Sequence, residues 1–417
     1  MARTTKTCRI CGGAVRECLD FGRQPISNAF PPPEKAGGEN TFRLAIGVCD
    51  TCTMVQQMEE VPREHMFRDD YPYRSSESAF MRRHFEAVAD LFLAQRPDGD
   101  PPFVVEIGSN DGIMLRRIAE AGARHLGVDP SEEASAVARR KGVDVLVDFF
   151  EELSALRILR EHGPADVVYS ANAFSHISYI DSVLKGVEVL LADDGIFVFE
   201  ERYLGDILST SAFDQIYDEH VHLFAARSVR EMVRRFGLEL VDAERIPVHG
   251  GSVRYTTARP GRRTPSARLG RMLDEERELG LAEYDTFLRL GDRVARIGED
   301  LVGLLRRLRD EGSTVAGYGA TAKSTTVTNS FGIGADLVPY VCDSTREKQG
   351  RVMPGSHIPI VPAEAFGDPY PDYALLFAWN HAEEIISKER EFLESGGRWI
   401  LYVPEVHVRG GGTRSDG

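Results

Sequence analysis

Residues 104–112 read VVEIGSNDG. The stretch is a short apolar run, an acidic residue, a glycine turn and the start of a helical pattern. A glycine turn after a strand lets the backbone approach a ligand closely, at the sheet edge where doubly wound folds bind nucleotides. The stretch therefore predicts the first strand, turn and helix of an α/β domain with a nucleotide-type ligand.

The segments around this stretch repeat the same pattern. Short apolar runs alternate with helical segments, which is the order of βαβ units in a parallel, doubly wound sheet. The predicted strands lie at 103–107, 125–128, 143–147, 166–169 and 195–199. A helix with apolar residues at helical spacing, from Phe80 to Leu91, is predicted to precede them.

Two nucleotide-type cofactors compete for the loop. A dinucleotide site needs G-x-G-x-x-G to place a pyrophosphate at the helix N-terminus, and this loop has Gly108 and Gly112 without the middle glycine. An acidic strand residue followed by G-x3-G instead resembles motif I of class I methyltransferases that use S-adenosylmethionine. Asp129, which ends the second strand, is placed to accept both ribose hydroxyls. The pattern favours S-adenosylmethionine over a dinucleotide.

Other cofactor contacts are expected at the ends of the following strands. Asp148 and Phe149 would flank the adenine, and Asn172 would lie near the methionine portion. For each residue the alternative is an ordinary turn residue at a strand end. The predicted cofactor-binding residues are Glu106, Gly108, Asn110, Gly112, Asp129, Asp148, Phe149 and Asn172.

Four cysteines near the N-terminus form two pairs, Cys8-x2-Cys11 and Cys49-x2-Cys52. Each pair can place two thiolates on one tetrahedral metal ion. Disulfides or unrelated core cysteines are the alternatives, but a two-residue gap disfavours a bridge within a pair, and we recognise no signal peptide. Four thiolates leave no position for a catalytic water, so a structural zinc ion is predicted.

The 417 residues are too many for one ordinary core and suggest two or three domains. After a charged, helical stretch at 264–309, a strand at 314–317 leads into the sequence GYGA, and further strands are predicted at 337–341 and 374–378. The predicted α/β domains are a zinc-binding module at 1–66, a class I S-adenosylmethionine methyltransferase Rossmann-like domain at 67–262, a C-terminal Rossmann-like domain at 263–408 and a disordered tail at 409–417.

Composition limits the partners. The formal net charge is −15 and the basic residues are dispersed, which disfavours nucleic-acid binding. No apolar run reaches the roughly 18 residues that a membrane span needs. We therefore expect a cytoplasmic monomer that acts on a small molecule.

A second dense cluster, residues 216–224, reads IYDEHVHLF. His220 with Glu219 is a general-base candidate, because a histidine titrates near neutral pH and a carboxylate can orient it. Tyr217 could donate a hydrogen bond to a developing oxyanion. A solvated polar turn, or a metal site formed by Glu219, His220 and His222, is the alternative. His176 lies at the same predicted sheet edge, although a single histidine is more often a packing residue.

In this order, the motifs resemble those of the sugar C-methyltransferases that methylate nucleotide-activated 4-keto-6-deoxy sugars. The resemblance covers almost the whole chain. It rests on the cysteine pairs, YPYRSS at 71–76, EIGSNDG at 106–112, YDEH at 217–220, HGGS at 249–252 and GYGATAK at 317–323. It implies a zinc-binding N-terminal domain, a central methyltransferase domain and a C-terminal domain that helps to hold the nucleotide-sugar.

The resemblance also implies roles for individual residues. His220 would be the base, Tyr217 would stabilise the oxygen, and Glu219 and His176 would orient the array. The expected substrate-binding residues are Tyr71, Tyr73, Ser76, His249, Gly250, Gly251, Lys323, Asn329 and Lys348. A plain β-turn explains Gly250 and Gly251 equally well, and Lys348 fits a solvated turn.

The sequence thus favours C-methylation at C3 of a thymidine-diphosphate (TDP) 4-keto-6-deoxy sugar, with or without a 3-amino group. Its cofactors would be S-adenosylmethionine and structural Zn²⁺. The nearest alternative is methylation at C5, on the other side of the ketone. A zinc-ribbon RNA or protein methyltransferase would need a basic face, and a non-catalytic nucleotide-sugar binding module would lack the cluster at 216–224.

Overall fold

A computed structural model describes residues 5–62, 79–95, 99–248 and 250–410. Three β-sheets organise this part of the chain, with five, seven and six strands. No helix within these ranges is both long and apolar enough to span a membrane.

The strands of the described chain are β1 (Thr5–Thr7), β2 (Ala14–Pro25), β3 (Thr41–Cys49), β4 (Val55–Gln57), β5 (Val104–Ile107), β6 (His125–Val128), β7 (Val145–Leu146), β8 (Ala165–Ala171), β9 (Leu191–Arg202), β10 (His222–Leu223), β11 (Glu239–Ile246), β12 (Ser252–Ala258), β13 (Val315–Tyr318), β14 (Val341–Asp343), β15 (Ile360–Pro362), β16 (Tyr373–Leu376), β17 (Arg398–Leu401) and β18 (His407–Gly410). The α-helices are α1 (Ala79–Leu93), α2 (Leu115–Glu120), α3 (Glu132–Arg140), α4 (Glu152–His162), α5 (Ile180–Leu190), α6 (Leu204–Thr210), α7 (Ala226–Arg234), α8 (Ala267–Glu278), α9 (Tyr284–Asp310), α10 (Ala322–Phe331), α11 (Ala382–Lys388) and α12 (Arg390–Glu394).

The central sheet has the order β11-β12-β9-β8-β5-β6-β7, and strands β5 to β9 are parallel. All four residues of β5 are buried, as expected for a strand covered on both faces. The predicted parallel, doubly wound sheet is therefore confirmed. Strand β9 is longer than the predicted 195–199 because it pairs with β8 on one side and β12 on the other, and it ends at Arg202.

The N-terminal sheet has the order β1-β2-β3-β4-β10, and its last strand comes from outside the N-terminal unit. Strand β10 follows the YDEH sequence and pairs antiparallel with β4, with His222 opposite Gln56 and Leu223 opposite Val55. The cysteine-bearing unit and the central domain therefore share one sheet, directly beside the predicted catalytic cluster.

The third sheet has the order β15-β14-β13-β16-β17-β18 and is parallel except for β18. The strand predicted at 337–341 is wrong in its bounds. The backbone N–H groups of Leu337 and Val338 both donate to the carbonyl of Gly334, which makes a turn there. Strand β14 therefore begins later in the chain and covers Val341–Asp343. Strand β18 includes residues 409 and 410, which the sequence analysis placed in the tail, because Gly410 pairs with Arg398 of β17.

Helix α9, in the charged stretch that was predicted to be helical, bridges the three units. Its Tyr284 hydroxyl donates to the carbonyl of Glu17 in β2, and its Arg293 donates to the carbonyl of Leu208 in the central domain at 2.8 Å. Leu301 and Leu305 on its inner face are fully buried. All three units therefore contact one continuous helix. These contacts fix the positions of the units whose residues meet at the candidate site.

Candidate active site

The four predicted metal ligands come together. The sulfur atoms of Cys8, Cys11, Cys49 and Cys52 all lie within 4.8 Å of one another. Two Sγ–Sγ distances are 3.6 Å, between Cys8 and Cys52, and 3.4 Å, between Cys11 and Cys49. Sulfurs bound tetrahedrally to zinc at about 2.3 Å would lie slightly under 4 Å apart, so the cluster fits one zinc ion. Among the described residues, this is the one group of three or more His, Cys, Asp or Glu placed to hold a metal ion.

The glycine loop after β5 has a left-handed backbone at three positions. The φ angles are +72° at Gly108, +48° at Asn110 and +74° at Gly112. A Cβ atom at Gly108 would lie 2.8 Å from the Cβ of Ala173, so a side chain has no room there. Asn110 occupies the place of the middle glycine, and asparagine tolerates this conformation better than most residues.

Asp129 is tied to the glycine loop. Its Oδ2 accepts a hydrogen bond from the backbone N–H of Asn110 at 2.8 Å, and its Oδ1 accepts one from Ser131 at 2.9 Å. The side chain is 7% exposed, and burial raises the pKa of its carboxyl group. Each carboxylate oxygen keeps a second lone pair, so Asp129 can still accept ribose hydroxyls while it orders the loop.

Two further predicted cofactor residues hold buried oxygens that no described residue binds. These atoms are Oε2 of Glu106, at the end of β5, and Oδ1 of Asn172, directly after β8. Burial, together with the nearby Asp129, raises the pKa of Glu106 well above its usual value. Unsatisfied polar atoms at adjacent strand ends suit a polar ligand, so the loop fits the predicted cofactor. Asp148 and Phe149 follow β7, where Asp148 is exposed and Phe149 is half-buried.

The YDEH sequence is buried, which shows that the solvated-turn interpretation is wrong. Exposure is 7% for Tyr217, 1% for Asp218, 2% for Glu219 and 1% for His220. A buried loop must have partners for its backbone and side-chain polar groups. Because residues 217–220 include the predicted catalytic residues, we call them the catalytic loop.

The N-terminal domain supplies partners for the catalytic loop. The side-chain amide of Gln57 donates to the carbonyls of residues 217, 218 and 220 at 2.7, 3.0 and 3.1 Å. Asn28 donates to the Glu219 carboxylate at 2.7 Å, and the backbone N–H of Ser27 donates to Asp218 at 3.1 Å. The sequence analysis missed Gln57, Asn28 and Ser27, because nothing in their local sequence distinguishes them from other polar residues.

Both nitrogens of the His220 ring have partners. Nδ1 donates to the carbonyl of Gln215, and Nε2 accepts from the Arg202 guanidinium at 2.7 Å. This pattern assigns a neutral ring with its lone pair on Nε2. The ring lies between Tyr217, at 4.0 Å between ring centroids, and His176, at 5.4 Å with 25° between the planes. Arg202 was also missed by the sequence analysis.

The electrostatics separate the roles of these groups. Burial, with the nearby Arg202 charge, lowers the pKa of His176 to about 3, so His176 is neutral and serves as a stacking partner for His220. Burial raises the pKa of Tyr217 above its usual value, so its hydroxyl keeps its proton and can donate. His220 is therefore the ring in this cluster whose geometry suits a base.

The C-terminal domain brings Lys323 and Gly250 to one place. Lys323, at the start of α10, donates to the side chain of Asn380, and its Nζ lies 4.8 Å from the centre of the Trp379 ring. Gly250, with φ +85°, faces the same Asn380, where an added Cβ would come within 3.1 Å. At Gly251, with φ +117°, an added Cβ would lie 2.6 Å from the Asp206 carboxylate, so the left-handed backbone favours glycine at both positions and the close contacts add to that preference.

Asn329 and Lys348 contact the main chain. Asn329 donates to the carbonyls of Thr325 and Pro354 at 2.8 and 3.0 Å. Lys348 is not a fully solvated turn residue, because it is half-buried and donates to the carbonyl of Ala320 at 2.8 Å. Tyr71, Tyr73, Ser76 and His249 lie outside the described residues.

Comparison with known proteins identifies the family. Family models match residues 8–67 as a zinc binding domain, 80–243 as a methyltransferase domain and 247–404 as a C-methyltransferase C-terminal domain. The C-methyltransferase NovU of Streptomyces niveus is 36% identical over 412 residues, which are 98% of this chain and 98% of NovU. The chain belongs to the C-methyltransferase family. This C-methyltransferase uses S-adenosylmethionine, has the class I fold, and has a zinc binding domain whose four cysteines are positioned for metal binding.

Other similar proteins match a smaller part of the C-methyltransferase. The ubiquinone biosynthesis O-methyltransferase of Burkholderia thailandensis is 27% identical over 165 residues, 36% of this chain and 71% of that enzyme. The structure of magnesium protoporphyrin IX methyltransferase (ChlM) from Synechocystis PCC 6803 with bound SAM covers 43% of this chain and 79% of its own, at 13% identity and a TM-score of 0.33. The match to NovU, in contrast, extends through all three sheets.

Replacing Asp129 with Ala should weaken binding of S-adenosylhomocysteine by about 1–3 kcal/mol, because a buried acceptor and the tie to the glycine loop are both lost. Isothermal titration calorimetry measures the change. Asp193→Ala, at a side chain that is 82% exposed, is the control and should bind normally. Unchanged binding in Asp129→Ala, or micromolar NAD binding by the wild type without S-adenosylhomocysteine binding, would contradict this assignment.

Proposed function

We propose that the protein methylates carbon C3 of a TDP-linked 4-keto-6-deoxy sugar through an enolate. One observation carries the proposal: the buried, neutral His220 ring packs against the Tyr217 ring, and its Nε2 lone pair accepts a hydrogen bond from the Arg202 guanidinium. A carbon beside a ketone can lose a proton to such a base. The resemblance of the ordered motifs to sugar C-methyltransferases supports the class of substrate.

The cofactor would be held by the loop after β5. Gly108 and Gly112 admit the cofactor close to the backbone, Asp129 accepts the ribose hydroxyls, and the unsatisfied oxygens of Glu106 and Asn172 bind the methionine portion. When bound, S-adenosylmethionine supplies an electrophilic methyl group. Asp148 and Phe149 would flank the adenine.

The protein's part in the reaction is to move one proton and hold the sugar in place. His220 Nε2 takes the proton from the carbon beside the ketone, and the Gln215 carbonyl stabilises the imidazolium that forms through the opposite nitrogen. Tyr217 donates a hydrogen bond to the ketone oxygen. Glu219, held by Asn28, and His176, stacked on His220, orient the base.

The nucleotide end of the substrate would lie toward the C-terminal domain. Lys323 is a buried cation beside Trp379 and Asn380, and the backbone at Gly250 and Gly251 comes close to the same place. A lysine provides a point charge for a phosphate, and an aromatic ring provides a surface for a base. We therefore assign the diphosphate to Lys323. Asn329 and Lys348 support this region through their hydrogen bonds to the main chain. The further substrate contacts are Tyr71, Tyr73, Ser76 and His249.

Hydrogen exchange tests the proposed function and the site of methylation together. In deuterated buffer with S-adenosylhomocysteine and a TDP-4-keto-6-deoxy sugar, the wild type should introduce deuterium at C3 faster than the sugar exchanges alone. His220→Asn should bind both ligands and lose this exchange, and its turnover should fall by about 10²–10⁴-fold. Nuclear magnetic resonance locates the deuterium.

The possible outcomes separate the alternatives. Deuterium at C5 would move methylation to the other side of the ketone. Normal exchange in His220→Asn would remove His220 from the proton transfer. No exchange and no methylation of any 4-keto nucleotide-sugar by the wild type would contradict the proposed function.

The charge of Lys323 predicts a pH dependence of substrate binding. Burial lowers the pKa of Lys323 to about 8, so the ammonium is charged below that pH and neutral above it. If it binds the diphosphate, the KM for the sugar should rise by up to roughly tenfold per pH unit above 8. Lys323→Arg should remove this rise, because a guanidinium stays charged. The KM for S-adenosylmethionine is the internal control, and a sugar KM constant from pH 7 to 9.5 in the wild type would contradict the assignment.

A further inference from the structure

Arg202 is a charged side chain to which the proposed reaction gives no role so far. It is the last residue of β9, and its backbone position is fixed by pairing with Ser252 of β12, just after the two glycines. Its Nη1 donates to His220 Nε2 at 2.7 Å. It forms no ion pair with any carboxylate of the described chain, and its Nε is a buried donor without a partner there.

A partly buried cation without an anion is costly, because desolvation of the charge is not repaid by an opposite charge. Arg202 is also close enough to lower the pKa values of His176 and Lys323. Burial raises the pKa of the neighbouring Glu201 carboxyl to about 7 and the Arg202 charge opposes this rise, but no ion pair joins the two, and the direct contact of the guanidinium is the neutral His220 ring. Such a site favours a ligand on which negative charge develops next to the base.

The geometry matches the removal of a proton beside a ketone. In that reaction, the carbon that loses the proton and the oxygen that gains negative charge are two bonds apart. The groups that serve them must therefore be neighbours, and His220 Nε2 and Arg202 Nη1 are 2.7 Å apart. Of the other donors near the site, Lys323 already donates to Asn380, and the Tyr217 hydroxyl is neutral because burial raises its pKa.

We propose that Arg202 binds the ketone oxygen of the substrate and neutralises the enolate. This inference rests on the proposed function. The substrate oxygen replaces His220 Nε2 as the acceptor of the Arg202 hydrogen bond, which frees the Nε2 lone pair. The carbon–hydrogen bond then breaks, its proton moves to Nε2, its electron pair forms the carbon–carbon double bond, and the carbonyl π pair moves to the oxygen beside Arg202.

This role accounts for the hydrogen bond between Arg202 and the base. The guanidinium satisfies Nε2 in a buried site, and the substrate oxygen would then take the place of Nε2 as acceptor. The ketone oxygen is a matching acceptor for the same donor. A charge-assisted hydrogen bond strengthens as the oxygen becomes negative, so its main effect falls on the transition state.

The experiment compares three variants by turnover and by exchange at the carbon beside the ketone. Arg202→Gln keeps hydrogen-bond donors and removes the charge, and Arg202→Ala leaves space for added guanidinium. The matched control is Arg259→Ala, since Arg259 contacts the carbonyl of Leu191 at the opposite end of the same strand. Thermal unfolding and S-adenosylhomocysteine binding report whether each variant is folded.

We expect kcat and the exchange rate to fall by about 10²–10³-fold in Arg202→Gln, with a smaller change in KM. Millimolar guanidinium should restore part of the activity of Arg202→Ala and should leave the activity of Arg259→Ala unchanged. An exchange rate within about threefold of wild type in folded Arg202→Gln would overturn the inference. Failure of guanidinium to rescue folded Arg202→Ala would also overturn it. If Arg202→Ala is unfolded, the result for Arg202→Gln decides. Wild-type exchange tests the proposed function separately, so the two failures are distinguishable.

Discussion

The hydrogen bonds from one amide, that of Gln57, determine the shape of the catalytic loop. Residues 217–220 contain no regular structure, and they are buried, so their carbonyls need donors from elsewhere in the chain. Gln57 donates to three of them. Its strand β4 then pairs with β10 immediately after the loop. Without these contacts the carbonyls of Asp218 and His220 would remain buried and unpaired, whereas that of Tyr217 would still accept from the backbone N–H of His220.

The four-cysteine site also contacts strand β4. Gln56, next to Gln57, donates to the Cys8 sulfur at 3.1 Å and lies opposite His222 in the shared sheet. Arg9, next to Cys8, donates to the carbonyl of Gln57 at 2.8 Å. A zinc ion on these cysteines would therefore hold in place the strand that carries the loop's hydrogen-bond donor. In that way a structural ion would help to build the candidate active site.

The C-terminal domain holds the start of the same loop. Asp214 accepts hydrogen bonds from Trp379 and Tyr402, both at 2.7 Å, and the next residue, Gln215, orients His220 through its carbonyl. Thr326 in α10 donates to the carbonyl of Ile216. The proposed substrate contact at Lys323 and the orientation of the proposed base His220 consequently depend on one packed interface.

The sequence predicted the parts of the site that depend on local spacing. The cysteine pairs, the glycine loop and the YDEH cluster are each contained in a short segment, and the chemistry of those residues limits what they can do. Arg202, Gln57 and Asn28 were not predicted, because each is a single polar residue brought to the site by pairing between distant segments. The strand predicted at 337–341 was misplaced for a different reason, because Leu337 and Val338 are apolar and buried but lie in a turn.

Amide hydrogen exchange of residues 217–223 in zinc-loaded Gln57→Met tests most directly whether the N-terminal domain builds the active site. Methionine keeps the length of the side chain and removes its donors. The account predicts that these amides lose protection while those of β13 and β16 keep it, and that Gln95→Met, at the end of α1, changes neither. Full protection of residues 217–223 in folded Gln57→Met would contradict the account.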